Sequence, residues 1–295
     1  MLINAANMEG MFTSYKTMAN VAASDATTVD FVGLGLALDV PTNQITVNYA
    51  QMDQISGMRK WIGPREAMRQ KAQDLNISCV PYERTIELLR REIESDATGL
   101  MSANVRAMGA NAALYPQVML ADYLNGADSA TSIDGQYLLD TDHAGASAQS
   151  NVSSNLFTYA NLVTGLEAMW GFTDSEGTSI GAYASLLVVG PGNAIAANEY
   201  VGSELKPGTP NNEINGIRNM VKVVVLPTLG TKWFLVDGSK EYKPLVWQHR
   251  KMVEFDAVTD PTDSYVFING AYLFGADADW AFGPGVWQAI YGGGF

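Results

Sequence analysis

The first candidate for chemistry is a serine in a glycine-flanked pentapeptide. Gly177-Thr178-Ser179-Ile180-Gly181 has the G-x-S-x-G spelling of a hydrolase nucleophile elbow, and His249 is the only histidine downstream that could act as its base. An elbow needs a strand before the serine and a helix after it. Here a polar stretch precedes Ser179 and a predicted strand follows it. The sequence therefore favours a turn and leaves hydrolase chemistry as a weak alternative.

A second candidate is an acidic cluster in a segment rich in Ser, Asp and Gly. It contains Asp134, Asp140, Asp142 and His143. Carboxylate oxygens suit calcium or magnesium, but the EF-hand spacing is absent. The alternative is that these side chains make local turn hydrogen bonds. The second interpretation is favoured, and no metal or cofactor is predicted.

A glycine-rich segment, Gly190-Pro191-Gly192-Asn193, lies between a predicted strand and a predicted helix. It has neither the G-x-G-x-x-G spacing of a dinucleotide site nor the Lys-Ser/Thr of a P-loop. The segment is predicted to be a tight strand-to-helix turn.

A basic cluster with an aromatic residue is the strongest candidate for binding a partner. Arg59, Trp61, Arg65 and Arg69 lie close together in an otherwise acidic chain, with Lys60 and Lys71 beside them. Tryptophan and arginine are enriched at interface hot spots. We expect these four residues to contact an acidic surface on a neighbouring copy. The alternative is a solvated hairpin tip, since charge runs are usually solvated.

Composition limits the classes of function. The 295 residues are 47% hydrophobic, enough for a sizeable core. The balance of 18 Lys+Arg against 31 Asp+Glu gives a net charge of -13, which opposes DNA recognition. The single cysteine, Cys79, allows no internal disulfide, and with only two histidines no Cys/His zinc cluster can form.

Targeting signals are not evident in the sequence. The first residues lack the basic and long apolar regions of a signal peptide, and no stretch approaches 18 uninterrupted apolar residues. We therefore expect no membrane association, and a protein made in the cytoplasm and kept there or packaged from it.

The first half of the chain is predicted to form an arm, a hairpin and a long helix. Residues 1–38 indicate an extended or partly helical arm. Alternating apolar residues from Ile45 to Tyr49 and from Leu75 to Cys79 predict the two strands of a long hairpin. Residues 97–125 predict a helix that is kinked or restarted at Pro116.

The second half is predicted to be mixed α/β. Residues 127–155 indicate a surface loop. Helices are expected at Tyr159–Trp170 and Ala194–Tyr200, and strands at Ala184–Val189, Met220–Leu226, Trp233–Val236, Leu245–Gln248, Tyr265–Asn269, Tyr272–Phe274 and Val286–Ile290.

Four motifs in order resemble the Mu-like major head subunit family, often called the gpT family. The match runs from about Tyr49 to nearly the end of the chain. The motifs are Met58 to Arg65, Arg90 to Asp96, Asp134 to His143, and Lys243 to Arg250. Asp279-Trp280 departs from the family pattern, because a basic residue is usual there, and this weakens one expected charge contact between subunits.

The resemblance implies an α+β protein with the Hong Kong 97-like phage capsid fold. In this fold an N-terminal arm (1–38) precedes an extended β-hairpin loop (39–82). A peripheral domain with a long spine helix (83–150 and 243–295) and an axial α/β domain (151–242) complete it. The implied function is that of a major capsid protein of a Mu-like tailed phage or prophage, with no catalytic activity.

The same resemblance implies the partners. Copies of the chain would form hexamers and pentamers of an icosahedral shell, assembled in the bacterial cytoplasm around double-stranded DNA without sequence-specific binding. A portal and decoration proteins are implied as well. The absence of a long acidic or coiled-coil leader suggests a separate scaffolding protein. The alternatives are an encapsulin-type compartment, a tail or baseplate subunit, and a hydrolase using Ser179.

Overall fold

The computed structural model describes residues 5–49, 74–95, 99–143, 147–174, 176–208 and 213–295. The helices of this part of the chain are α1 (Ala5–Asp25), α2 (Arg90–Ser95), α3 (Leu100–Asn125), α4 (Tyr159–Trp170), α5 (Ala194–Gly202) and α6 (Ser264–Asn269). Its strands are β1 (Ala37–Pro41), β2 (Thr46–Asn48), β3 (Asn76–Ser78), β4 (Val80–Leu89), β5 (Val152–Ser153), β6 (Leu186–Val189), β7 (Lys222–Val225), β8 (Trp233–Val236), β9 (Leu245–Val258), β10 (Ala271–Pro284) and β11 (Ile290–Gly293).

The chain divides into two compact units, and each is made of three separate segments. The first unit comprises Met1–Thr28, Cys79–Pro116 and His249–Ala281, and the second comprises Val29–Ser78, Gln117–Gln248 and Phe282–Phe295. These boundaries differ from those of the predicted arm, loop, peripheral and axial divisions, which stay a prediction.

Helix α1 forms one side of the core of the first unit. Its buried residues Met8, Phe12, Tyr15 and Ala19 recur at spacings of four, three and four, which places them on one helix face. The Phe12 ring lies 5.8 Å from the ring of Tyr272 on β10. The N-terminal arm was predicted to be extended or partly helical, and Ala5–Asp25 of this arm are helical.

The predicted helix over 97–125 is observed as α3, which begins at Leu100 and ends at Asn125. Val105 and Met108 lie in the core of the first unit. The predicted restart at Pro116 is wrong, because α3 continues through this residue. At about 1.5 Å per residue its 26 residues form a helix about 39 Å long.

A four-stranded sheet has the order β1-β9-β10-β4. In the first unit β10 pairs antiparallel with β4, from Ala271 opposite Leu89 to Trp280 opposite Val80. The strand predicted at Tyr265–Asn269 is wrong, because these residues belong to α6. The Asp263 side chain caps the start of α6, and Gly270 ends it with a φ of 61°.

The second unit contains a five-stranded sheet of order β5-β11-β8-β6-β7. Helix α4 packs on it through Gly165, where a Cβ would lie 3.0 to 3.1 Å from side chains of Tyr291, Leu235 and Trp233. Helix α4 and strand β8 have the predicted bounds. The strand predicted at Val286–Ile290 is wrong, because Trp287–Ala289 form a 3₁₀ turn before β11.

The segment predicted as a surface loop, 127–155, is partly buried. Leu138, Leu139, His143 and Asn151 are at most 2% exposed. Apart from β5, its described residues form no helix or strand, and they contribute side chains to the core of the second unit.

Candidate functional site

Strands β2 and β3 form a two-stranded antiparallel ribbon in the second unit. Val47 pairs with Ile77, and the flanking pairs are Thr46 with Ser78 and Asn48 with Asn76. The predicted hairpin pairing is confirmed. The hydroxyls of Thr46 and Ser78 are 2.8 Å apart, and the Asn48 amide donates to the Asp74 carboxylate at 3.0 Å.

One glutamine holds the base of this ribbon. The Gln248 side chain is fully buried, and its Nε2 donates to the carbonyl of Ile45 at 3.4 Å and to that of Ile77 at 3.3 Å. Its Oε1 accepts a 2.8 Å hydrogen bond from the Tyr49 hydroxyl. Gln248 therefore contacts both sides of the ribbon, and through Tyr49 it also contacts the last described residue before 50–73.

The predicted contact residues Arg59, Trp61, Arg65 and Arg69 lie outside the described residues. The structure gives the ribbon base from which that segment starts and to which it returns. The part of the chain that carries these four residues therefore begins at Tyr49 and ends at Asp74, next to the Gln248 contacts.

The acidic cluster gathers around a buried histidine. His143 is 0% exposed, and its Nδ1 is 2.7 Å from Asp134 Oδ2, while its Nε2 is 3.0 Å from Asn151 Oδ1. The imidazole stacks on the Trp287 ring at a centroid distance of 4.2 Å and an angle of 5°.

The neighbouring carboxylates are used in turns. Asp140 Oδ1 accepts from the Thr141 amide at 2.7 Å, and Asp134 Oδ1 accepts from the Gln136 amide at 3.2 Å. Burial by itself would raise the pKa of Asp140. The hydrogen bonds with the Thr141 and Tyr137 amides and with the Asp142 side chain, together with the charge of His143, outweigh burial, so the pKa is lowered. Among the described residues no three His, Cys, Asp or Glu side chains are grouped to hold a metal ion.

Ser179 follows the turn at Glu176-Gly177 and precedes β6, so the predicted turn lies next to the serine. It forms an isolated bridge with Thr173, and its hydroxyl accepts a 3.3 Å hydrogen bond from the Gly181 amide. Strand β6 follows it, and no helix begins at the serine. Ser179 belongs to the second unit and His249 to the first. The geometry required of a nucleophile elbow is therefore missing at this site.

The glycine-rich segment at 190–193 is a turn. Pro191–Asn193 form one turn of 3₁₀ helix that leads directly into α5. At Gly190 a Cβ would lie 2.1 Å from the Gly230 carbonyl oxygen, so the glycine is required for this close approach of two backbones. The predicted strand-to-helix turn is confirmed.

A charge pair that the sequence did not predict joins β9 and β10 in the first unit. The guanidinium of Arg250 binds the carboxylate of Asp279, which is 5% exposed. The charge of Asp279 is therefore balanced within the same chain.

Large apolar side chains are exposed in both units. Ile195 and Ile214 in the second unit are 84% and 85% exposed, and Phe267 and Ile268 on α6 are 81% and 78% exposed. No helix in the described part of the chain is long and apolar enough to cross a membrane.

The fold is similar to that of solved phage capsids. A chain from the procapsid of bacteriophage JBD30 matches with a TM-score of 0.60 and 22% identity, over 98% of this chain and 75% of that one. The protein therefore has the α+β, Hong Kong 97-like fold of phage capsid subunits, as predicted.

The chain belongs to the family described as Mu-like prophage major head subunit gpT, whose sequence model matches residues 8–158, 152–229 and 226–294. The match begins well before Tyr49, so the family resemblance extends further toward the N-terminus than the motifs indicated. The protein is a structural head subunit, a major capsid protein that self-associates into a shell, and not an enzyme.

Two curated relatives have the same identity to this chain. The major capsid protein of Escherichia phage Mu is 22% identical over 288 residues, covering 98% of this chain and 73% of that protein. The Mu-like prophage FluMu major head subunit of Haemophilus influenzae is 22% identical over 256 residues, covering 87% of this chain and 64% of that protein. The compartment, tail and hydrolase alternatives are not favoured.

Proposed function

We propose that this chain forms the hexamers and pentamers of an icosahedral head that encloses double-stranded DNA. The observation that carries the proposal is the β2–β3 ribbon. A two-stranded ribbon is marginal in water unless another surface covers it. The Gln248 side chain anchors the two strands. Residues 50–73 connect one strand to the other, and they are too many for a tight turn. A neighbouring subunit would provide the covering surface.

The four-part organisation of the capsid fold is part of this proposal. Residues 1–38 would be the arm, 39–82 the extended loop, 83–150 with 243–295 the peripheral domain, and 151–242 the axial domain. The ribbon and helix α3 lie within the ranges assigned to the loop and to the peripheral domain, which supports the assignment.

The extended loop would bind the neighbouring subunit through Arg59, Trp61, Arg65 and Arg69. The net charge of -13 makes acidic surface abundant on every copy, so the arginines have partners of opposite sign. Trp61 would supply the apolar contact at the centre. A standard interface of about 1,600 Å² would cover the ribbon and its edges.

The other proposed partners are the proteins that a DNA-filled phage head requires. A DNA-filled shell requires a portal for DNA entry, and we propose a separate scaffolding protein and possible decoration proteins as further partners. The acidic chain would attract DNA weakly, so that packaged DNA could slide and leave. Assembly would take place in the bacterial cytoplasm, and the product would be the capsid of the virion.

The test of the loop contact is a comparison of Trp61→Ala with Arg218→Ala, an exposed arginine paired with Glu204 within its own subunit. Each variant is co-expressed with the neighbouring head genes, and particles are examined by negative-stain microscopy. We expect Trp61→Ala to abolish or strongly reduce round shells while the circular dichroism spectrum stays that of the parent. Arg218→Ala should form shells normally.

Two results would overturn parts of the proposal. Normal shells from Trp61→Ala, and from the triple variant with Arg59 and Arg65 changed to alanine, would remove the loop contact. Particles that are tubes, or shells that contain no DNA after induction of the complete phage, would remove the proposed head geometry or cargo.

A further inference from the structure

The enclosed imidazole of His143 faces a hydrogen-bond acceptor at each ring nitrogen. Nδ1 lies 2.7 Å from Asp134 Oδ2 and Nε2 lies 3.0 Å from Asn151 Oδ1. A neutral imidazole has one N–H donor and one nitrogen that accepts, so it can satisfy only one of two acceptors. The protonation state of this ring therefore depends on whether both partners are true acceptors.

Asn151 is fixed as an acceptor toward the histidine. Its Nδ2 is directed at the carbonyls of Leu138 (2.8 Å), Trp287 (3.1 Å) and Ile290 (3.3 Å), none of which can donate. Its Oδ1 also accepts from the Asp140 amide at 2.9 Å. Exchanging the amide O and N would lose all four of these bonds, so Nε2 of His143 must carry a hydrogen.

The other ring nitrogen faces a carboxylate. Ionised Asp134 can only accept, so the short contact to Nδ1 requires a hydrogen there as well. We propose that His143 carries a hydrogen on both ring nitrogens and is the central cation of a buried clamp. The clamp joins the loop at Asp134, the residue Asn151 before β5, and the 3₁₀ turn at Trp287.

The surroundings favour a positive charge on the ring. Asp134 neutralises it directly, with a side chain that is only 14% exposed. The carboxylates of Asp140 and Asp142 lie on the same loop, and Asp140 interacts electrostatically with His143. The Trp287 ring stacks parallel to the imidazole at 4.2 Å, which suits a cation on an aromatic face. Phe172 packs against the edge of Trp287 and carries no charge.

The test is the ¹⁵N spectrum of the imidazole in the full-length chain labelled at histidine. The protein has two histidines, so His249→Gln leaves His143 as the only labelled ring. We expect both ring nitrogens to give signals of protonated nitrogen at pH 7.5, where a free histidine is mostly neutral. A signal of a nonprotonated nitrogen at either ring position would overturn the proposal.

A second pair of variants tests the partner. In Asp134→Asn the new amide can donate to Nδ1, so His143 should become neutral, with hydrogen on Nε2 alone. Asp142→Asn is the matched control, and it should leave the doubly protonated spectrum unchanged. Two protons on the ring of Asp134→Asn would show that Asp134 is not the required acceptor. If Asp134→Asn does not fold, the spectrum of the His249→Gln protein decides the question by itself.

Discussion

The backbone of Gly109 on α3 lies against the backbone of Ala19 on α1. A Cβ built at residue 109 would be 2.3 Å from the Ala19 carbonyl oxygen and 2.9 Å from its Cα. Glycine is normally unfavourable inside a helix by about 1 kcal/mol relative to alanine. Its presence in the middle of α3 is explained by this close approach, which lets α1 cover the core of the first unit.

Substitution Gly109→Ala should lower the free energy of unfolding. The clash with backbone atoms outweighs the gain in helix propensity, because overpacking costs about 1 to 3 kcal/mol and no side chain can move aside. Limited proteolysis should then cleave in or near α1 first. Gly10→Ala is the control, since a Cβ there meets nothing within 4 Å. It should stabilise the protein by up to about 1 kcal/mol, and equal effects of the two variants would contradict the packing argument.

Gln248→Leu should detach the ribbon at its base. The substitution keeps the side-chain volume but leaves the carbonyls of Ile45 and Ile77 and the Tyr49 hydroxyl without this partner, at a cost of about 1 to 3 kcal/mol. Tyr49→Phe removes only one of these bonds and should cost about 1 kcal/mol. Urea unfolding gives both values. An equal loss in the two variants would mean that the bonds to the ribbon backbone contribute nothing.

Tyr123→Phe should reduce the loss of stability at high pH. The Tyr123 hydroxyl is buried without a hydrogen-bond partner, and burial raises the pKa of this phenol well above its usual value. Since the unfolded chain ionises near pH 10 and the folded chain does not, folding loses stability as the pH rises above about 10. The phenylalanine variant has no phenol to ionise at this position, so it does not lose this part of the stability. Parallel pH profiles of the two proteins between pH 9 and 11 would contradict the prediction.

Ser179→Ala should leave folding and shell formation unchanged, because the hydroxyl makes a single 3.3 Å contact with the Gly181 amide. Asp174→Ala, a few residues away, is the informative comparison. Its carboxylate is 5% exposed and accepts from the amides of Glu176 and Thr178 at 2.9 Å, so its loss should cost about 1 to 3 kcal/mol. A folded Ser179→Ala protein that makes no shells would reopen the question of chemistry at Ser179.

Regular elements with a clear period were predictable from the sequence. Helix α4 has four buried positions on one face, and β8 is a short apolar run between turn residues. The first and last residues of both elements were therefore predicted correctly. Helix α6 was missed because six residues give less than two turns, and its apolar residues also fit a strand. Only its Asp263 cap and the following Gly270 indicated a helix.

The site was predictable in part. The alternation around Val47 and Ile77 identified the ribbon, since period two is a local property of each strand. The partnership of His143 with Asn151 and Trp287 could not be predicted, because Trp287 is distant in sequence and its place depends on the whole sheet. Gln248 lay inside a recognised motif, but its contacts with the ribbon depend on tertiary structure.

Strand β11 occupies the interior of the five-stranded sheet, between β5 and β8. Strand β5 has no neighbour in that sheet other than β11, although β5 is made almost 140 residues earlier on the chain. The ribosome must therefore synthesise residues 290–293 before the second unit can close. A nascent or prematurely terminated chain lacks this strand and would leave the edge of β8 unpaired. Cellular proteases could then degrade the incomplete chain before it enters a growing particle.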